Sequence, residues 1–482
     1  MLESRRTVEA LAENEIASPS GAAHRPRSLR RRLYSNAAWS IGGRLVTMGA
    51  LFLSSVLLAR KFSTAEFSAY TIASAAVALL AMPAAFGAPR VVLRLIREGL
   101  ATNRPELVIA SLRGCIRLVL ISSTILLLLF LLSVRSMEDA DKWRAVRDYS
   151  LLVGAWFSLS AISLALAHAL QAFDDFRSAA IVGARYGGIL SNFLFLVAVS
   201  IAAMLDGLTL RVALAAQVVL HMAAVAWAWY ALRVAMTRRA QVTANPPGRE
   251  EPGFVSSPLW FFQECWPILA IQLTSLGISQ IDVLLVGWLR QSHDIAVYGA
   301  VARLGELLAA PQVLAAAIAA PFISELYTTG QLSKLERLLR GIASLVALPT
   351  LFVGAIFIIA PRFILTHIFG PPFAAGATTL QIVTIGSTVA ALTGTNSLAM
   401  IMAGQQRPLL SISVVASVIY LVVAPLLISE HGIVGAATAT AVVFGVYNIA
   451  VTAMVKSRIG IWTTASLSPT VYVDTIREVL RR

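Results

Sequence analysis

From Asn36 onward the chain alternates between long apolar stretches and short polar breaks. Within the stretches the apolar residues run all round a helical wheel and do not alternate, which predicts helices and not barrel strands. A bilayer core about 30 Å thick takes roughly 20 residues of helix per crossing. On that measure the sequence predicts an all-α polytopic membrane protein with about twelve transmembrane helices. The first six fall at 36–59, 67–89, 114–134, 149–170, 178–203 and 210–232. The others fall at 266–289, 296–322, 341–366, 378–403, 408–428 and 432–455. Pro83, Pro267, Pro311, Pro349 and Pro425 lie in or at the start of spans, where neighbouring helices re-satisfy the freed carbonyls, so kinks are expected and not breaks.

The polar breaks organise these spans. The longest, 233–265, carries Asn245-Pro246-Pro247-Gly248 and Arg249-Glu250-Glu251-Pro252, a composition that builds no core and reads as a cytoplasmic linker. It separates an N-lobe (34–232) from a C-lobe (266–457) of six helices each. Six is even, so the lobes insert in the same sense, related by an axis along the membrane normal. Tyr70 and Tyr298 are 228 residues apart, and so are Pro83 and Pro311, each pair in the second helix of its lobe. This offset supports an internal duplication. Residues 1–33 read as a disordered basic cytoplasmic tail, with Arg25, Arg27, Arg30, Arg31 and Arg32, which either touches anionic headgroups or simply orients the first helix. In the C-terminal tail, 458–482, Val473, Ile476, Val479 and Leu480 have the spacing of an interfacial helix.

Composition agrees with the pattern: 57% of residues are hydrophobic and 13% charged, with a mean hydropathy of +0.76. Soluble chains are about a quarter charged. The net charge of +14 would suggest nucleic acid in a soluble protein, but here its distribution matters more. With both termini cytoplasmic, 27 of the 39 Lys and Arg residues fall on the inner side, nine outside and three within spans. That split follows the positive-inside rule and fits an even number of crossings. Cys115 and Cys265 form no CxxC motif and the six histidines no HExxH pair, so neither metal nor other cofactor is expected. No Walker A motif, Gly-rich re-entrant half-span or large loop is present to suggest an ATP-driven pump, a channel or a membrane transferase. The chain does not read as an enzyme.

Charge inside a bilayer is costly, so intramembrane ionisable residues are the functional candidates. Arg44 lies about two turns into the first span, flanked by Gly42, Gly43, Leu45 and Val46, with no partner in its own helix. An arginine so placed is expected to face a water-filled cavity, where its fork grips a phosphate or diphosphate. Arg303 and Glu306 share a face of the eighth span and read as an internal pair or as cavity residues. Asp282, in the seventh, is an alternative partner for Arg303. Arg185, in the fifth, either snorkels to the interface or joins the cavity.

Several blocks then carry a likeness. They are Ser35-Asn36-Ala37-Ala38-Trp39, Leu58-Ala59-Arg60, Glu66-Phe67-Ser68-Ala69-Tyr70 and Phe86-Gly87-Ala88-Pro89. Gln280-Ile281-Asp282, Val297-Tyr298-Gly299-Ala300-Val301-Ala302-Arg303 and Pro321-Phe322-Ile323-Ser324-Glu325-Leu326-Tyr327 follow. Phe369-Gly370-Pro371-Pro372-Phe373 and Gly432-Ile433-Val434-Gly435-Ala436-Ala437 complete the series. Over residues 33–460 the chain resembles the polysaccharide-transporter branch of the multidrug/oligosaccharidyl-lipid/polysaccharide exporter superfamily, the Wzx-like oligosaccharide flippases. Ser68-Ala69 departs from the glycine usual before the tyrosine of the second helix, which bears on packing. The resemblance implies two lobes around a central cavity that opens alternately to either side of the bacterial inner membrane. It implies an undecaprenyl-diphosphate-linked oligosaccharide as cargo, membrane lipids around it, and a polysaccharide polymerase or glycosyltransferases as working partners. Arg44, Arg303 and Arg185 become substrate-binding candidates, and Asp282 and Glu306 candidates for ion coupling. A small-molecule antiporter of the same superfamily and a non-transporting scaffold are the competing readings.

Overall fold

The computed structural model describes residues 26–136, 141–183, 187–240, 258–279 and 281–466. The described residues are helical with no β-strand. Among the described residues, eight helices are long and apolar enough to cross a membrane by length and composition. Leu128, Leu132, Phe352 and Leu426 are among the apolar side chains on the bundle's outer surface, each more than half exposed. That is the surface hydrocarbon covers in a membrane protein.

The first half is built from α1 (Pro26–Lys61), α2 (Thr64–Ala84), α3 (Ala88–Ala101), α4 (Pro105–Ser136), α5 (Asp141–Asp148), α6 (Ser150–Ala172), α7 (Phe176–Val182), α8 (Ile189–Met204) and α9 (Leu210–Ala240). The second half comprises α10 (Pro258–Ser279), α11 (Ile281–Leu289), α12 (Ser292–Thr328), α13 (Leu332–Ile359), α14 (Pro361–Ile368), a 3-10 turn (Pro371–Gly376), α15 (Ala377–Thr393), α16 (Asn396–Met402) and α17 (Gln406–Ile459). α17 is two helices back to back. Gly432 has φ 62° and ψ −138°, and a methyl on Gly435 would strike the Leu427 carbonyl, so the chain doubles back there. The separate spans read at 408–428 and 432–455 meet at this reversal.

Local chemistry sets the other boundaries. Ser63 caps α2 in a reciprocal box with Glu66, satisfying orphan donors at the helix start. The span read as 67–89 stops at Ala84, because Phe86 and Gly87 take positive φ and turn the chain into the amphipathic α3. α3 buries Val91, Val92, Leu95 and Ile96 and exposes Arg90, Arg94 and Arg97. The span read at 178–203 is interrupted after Val182, where Gly183 and Gly187 both have positive φ. Helix takes in both ends of the stretch read as the 233–265 linker, leaving 241–257 outside the described residues. Residues 1–25 and 467–482 also lie outside them, and with them most of the expected basic tail and the proposed interfacial helix. Ahead of that point Ser466 is tied to α13: its N–H donates to Ser344 Oγ (2.7 Å) and its carbonyl accepts from that hydroxyl (2.9 Å).

The halves meet along α2 and α12. A methyl on Gly299 would lie 2.5 Å from Thr71 Cγ2, so α12 seats against the Thr71 side chain only because position 299 has none. Thr71 and Gly299 are themselves 228 positions apart, the offset that relates Tyr70 to Tyr298. At the end of the bundle holding the α1–α2 turn, aromatic contacts join the halves. Phe52 meets Phe369 and Phe67 meets Phe373, edge to face, at 6.3 and 5.7 Å. Arg60 adds hydrogen bonds to the carbonyls of Ile368 (2.7 Å) and His367 at the end of α14. At the opposite end one core cluster, from Ala319 to Ile461, draws on the second half alone. There α10 reaches the first half, through Phe86–Phe262 (5.0 Å) and the Arg94–Glu264 ion pair.

Candidate functional site

Two cavities lie side by side where α2 crosses α12. The first lies between Leu51 of α1, Tyr70 and Ser74 of α2, Trp156 of α6 and Gln217 of α9. It ends on Arg303 and Glu306 of α12. The second belongs to the second half and is lined by Asp282, Tyr298, Glu306, Ser387 and Thr440 among others. Val283 of α11 and Ala302 and Glu306 of α12 line both, so these two helices form the partition.

The partition carries the charge. Arg303 Nη1 donates to Glu306 Oε2 at 2.9 Å, a pair one helical turn apart. Arg303 Nη2 donates to Ser74 Oγ at 3.2 Å, so this guanidinium bridges the two halves. Ser74 is held by its own helix, donating to the Thr71 carbonyl at 2.9 Å. Arg303 therefore sits one turn from the Thr71–Gly299 contact, anchored from both sides.

Asp282 lies in the first turn of α11, and the expected alternative of an Asp282–Arg303 pair is not what forms. Its Oδ1 accepts from the Val283 N–H and its Oδ2 accepts from the Tyr298 hydroxyl, both at 2.8 Å. The first half has a matching aromatic. Tyr70 accepts from Gln217 Nε2 at 3.3 Å and stacks between Trp156 and Phe195. His221, one turn on from Gln217, bonds that residue's carbonyl through Nδ1 at 2.8 Å. Tyr70 and Tyr298 thus hold equivalent places in adjacent cavities.

The other expected residues are placed differently. Arg44 is exposed and lines neither cavity. It stands seven residues before Leu51, which does, and so shares that face of α1 about two turns, roughly 10 Å, away. Arg185 lies outside the described residues. No group of three or more His, Cys, Asp or Glu residues gathers in metal-ligating reach among the described residues. Ser74, Gln217 and His221 escaped the sequence reading, which searched the spans for charge alone. A search for neutral polar residues in apolar spans would have found Gln217 and His221, since such side chains form interhelical hydrogen bonds.

A bundle of membrane-length helices around two largely apolar cavities that carry a few polar and charged groups defines a multi-pass membrane protein. Residues 33–327 match the model of the family described as polysaccharide biosynthesis protein, and the chain belongs to that family. No curated protein matches it. Among solved structures it is similar to the inward-facing conformation of a multidrug resistance MATE family transporter of the MOP superfamily. The TM-score there is 0.69 at 15% identity, over 86% of this chain and 94% of that one. The lipid II flippase MurJ in an inward closed conformation superposes with a TM-score of 0.61 at 13% identity, over 93% and 91%. A MOP superfamily transporter from Pyrococcus furiosus, for which a binding pocket of reverse polarity suggests a different function, gives 0.56 at 14%, over 88% and 95%. These likenesses establish the fold of MOP superfamily transporters.

Proposed function

We propose that this protein moves a lipid-diphosphate-linked oligosaccharide across the bacterial inner membrane for surface polysaccharide synthesis, by alternating access between two parallel six-helix lobes. The observation that carries the reading is Arg303, a guanidinium held at the meeting of the two halves and lining a cavity. A fork of that kind recognises phosphate oxygens in pairs. Membership of a polysaccharide biosynthesis family supports a sugar cargo, and the resemblance to a lipid II flippase supports a lipid-linked one. Thr71 meeting its own 228-offset mate supports the two-lobe reading, because residues near a twofold axis touch their counterparts.

Arg44, on the Leu51 face of α1, serves as an earlier contact for the same phosphates on the cytoplasmic side. Both termini are cytoplasmic in this reading, and the end closed by Arg60 and the phenylalanines is periplasmic. Asp282 and Glu306 carry ion coupling. Their presence in the second cavity also suits a cationic small molecule, the antiporter reading. The test is delivery of surface polysaccharide in a strain relying on Arg44→Ala or Arg303→Ala. Loss of polymer at near-normal protein levels is expected. Unchanged output from both strains overturns the cargo assignment.

A further inference from the structure

The place a phosphate would take on Arg303 is already occupied. Nη1 is given to Glu306 and Nη2 to Ser74. Glu306 sits on the same helix, one turn on, so it needs no approach to compete. It also lines both cavities, and the second holds another carboxylate, Asp282. We propose that Glu306 is a built-in, displaceable counter-ion for Arg303, which an anionic cargo group must push aside. This rests on the lipid-diphosphate reading and extends it to how the site is regulated.

Two consequences follow from charge alone. First, the anion binds against a competitor, so removing the carboxylate's charge strengthens binding. Second, a displaced Glu306 leaves two carboxylates, Glu306 and Asp282, around one cavity without a cation. Two like charges sharing one cavity disfavour each other's charged forms. A monovalent cation, proton or sodium, enters with the anion, and by reciprocity each raises the affinity of the other. The facing groups are consistent with this. Around Glu306 stand Arg303 and Tyr298 on α12, Asp282 on α11, Tyr70 on α2 and His221 on α9, with Tyr420 of α17 hydrogen-bonded to Thr440 (3.2 Å) in the wall. Arg303 is the single fixed positive charge among these described groups. The swap keeps that arginine paired in both states. An empty transporter therefore never exposes a bare guanidinium to its own cavity, and a full one never leaves the acids uncompensated.

The experiment uses the full chain in nanodiscs, with farnesyl diphosphate as the probe in titration calorimetry. Glu306→Gln is expected to bind about tenfold more tightly than wild type, the worth of one charge-assisted hydrogen bond no longer in competition. Titrations in two buffers of different ionisation enthalpy, and in sodium against choline at fixed ionic strength, read the co-bound cation. Wild type is expected to show one more than Glu306→Gln, and the two arms say whether it is a proton or sodium. Glu306→Asp, whose carboxylate is drawn back from Arg303, should fall between and serves if the glutamine variant is poorly folded. Binding by Glu306→Gln equal to or weaker than wild type, with an unchanged melting profile, overturns the counter-ion role while leaving the cargo reading intact. Failure of wild type to bind the probe overturns both.

Discussion

The crossing of α2 and α12 gives the sharpest test of how the halves are held. Adding a methyl by Gly299→Ala places carbon 2.5 Å from Thr71 Cγ2 and 2.9 Å from Thr71 Oγ1. Thr71 has little freedom to yield, being 7% exposed with its hydroxyl donating to the Phe67 carbonyl at 2.8 Å. Overpacking of this kind costs about 1–3 kcal/mol. Alanine is a better helix former than glycine by about 1 kcal/mol, but α12 stays helical whichever way the halves tilt, so that gain cancels between conformations. The remaining penalty falls on the state in which the two helices touch, and lowers its ratio to the other state by about five- to 150-fold. The assay is cross-linking of a Phe67→Cys/Phe373→Cys pair, whose parent rings stand 5.7 Å apart. Cross-linking should fall sharply in Gly299→Ala and return in Thr71→Ala/Gly299→Ala, where the clashing atoms are gone. Wild-type cross-linking in the single variant, or no rescue in the double, refutes the reasoning.

Further outcomes can be measured. Arg60→Gln removes a cation from the carbonyl end of α14 and should weaken closure at that end by about 0.5–1 kcal/mol, raising maleimide labelling of a cysteine at Thr64. Ser344→Ala leaves the Ser466 N–H without its partner, at a cost of about 1–3 kcal/mol, and should speed hydrogen exchange at Ser466 while sparing α12. A protease site inserted at Gly248 should be cut in inside-out vesicles and protected in right-side-out ones. The reverse pattern would invert the proposed orientation.

Much of the bundle was legible because apolar length is a local property. The span read at 149–170 became Ser150–Ala172, and that at 210–232 starts at Leu210 as expected. What periodicity hid were backbone turns made without a loss of hydrophobicity. Phe86-Gly87 ends α2 inside an unbroken apolar run, and the Gly183 and Gly187 turns interrupt the fifth span in the same way. The ionisable candidates were equally visible, since charge stands out in apolar sequence, and the Arg303–Glu306 pair followed from helical spacing. Their remaining partners were not. Ser74 and Arg303 are 229 residues apart, and neither a serine in a helix nor an aspartate before a valine announces which tertiary neighbour it will meet. Arg44 shows the reverse limit. Sequence supplied the residue and its depth, but only the fold shows that it shares its face with a cavity wall.

The threonine-on-glycine contact between α2 and α12 also says something about one chain against two. Were two identical subunits to meet about such an axis, each position on it would face itself. Two threonines there would hold the helices apart, and two glycines would leave a groove for lipid or water to fill. A fused chain can put the bulky residue on one side and the hollow on the other. If the two halves are related as proposed, close approach of α2 and α12 is obtained by giving up perfect symmetry at this one contact, where neither half can be exchanged for the other.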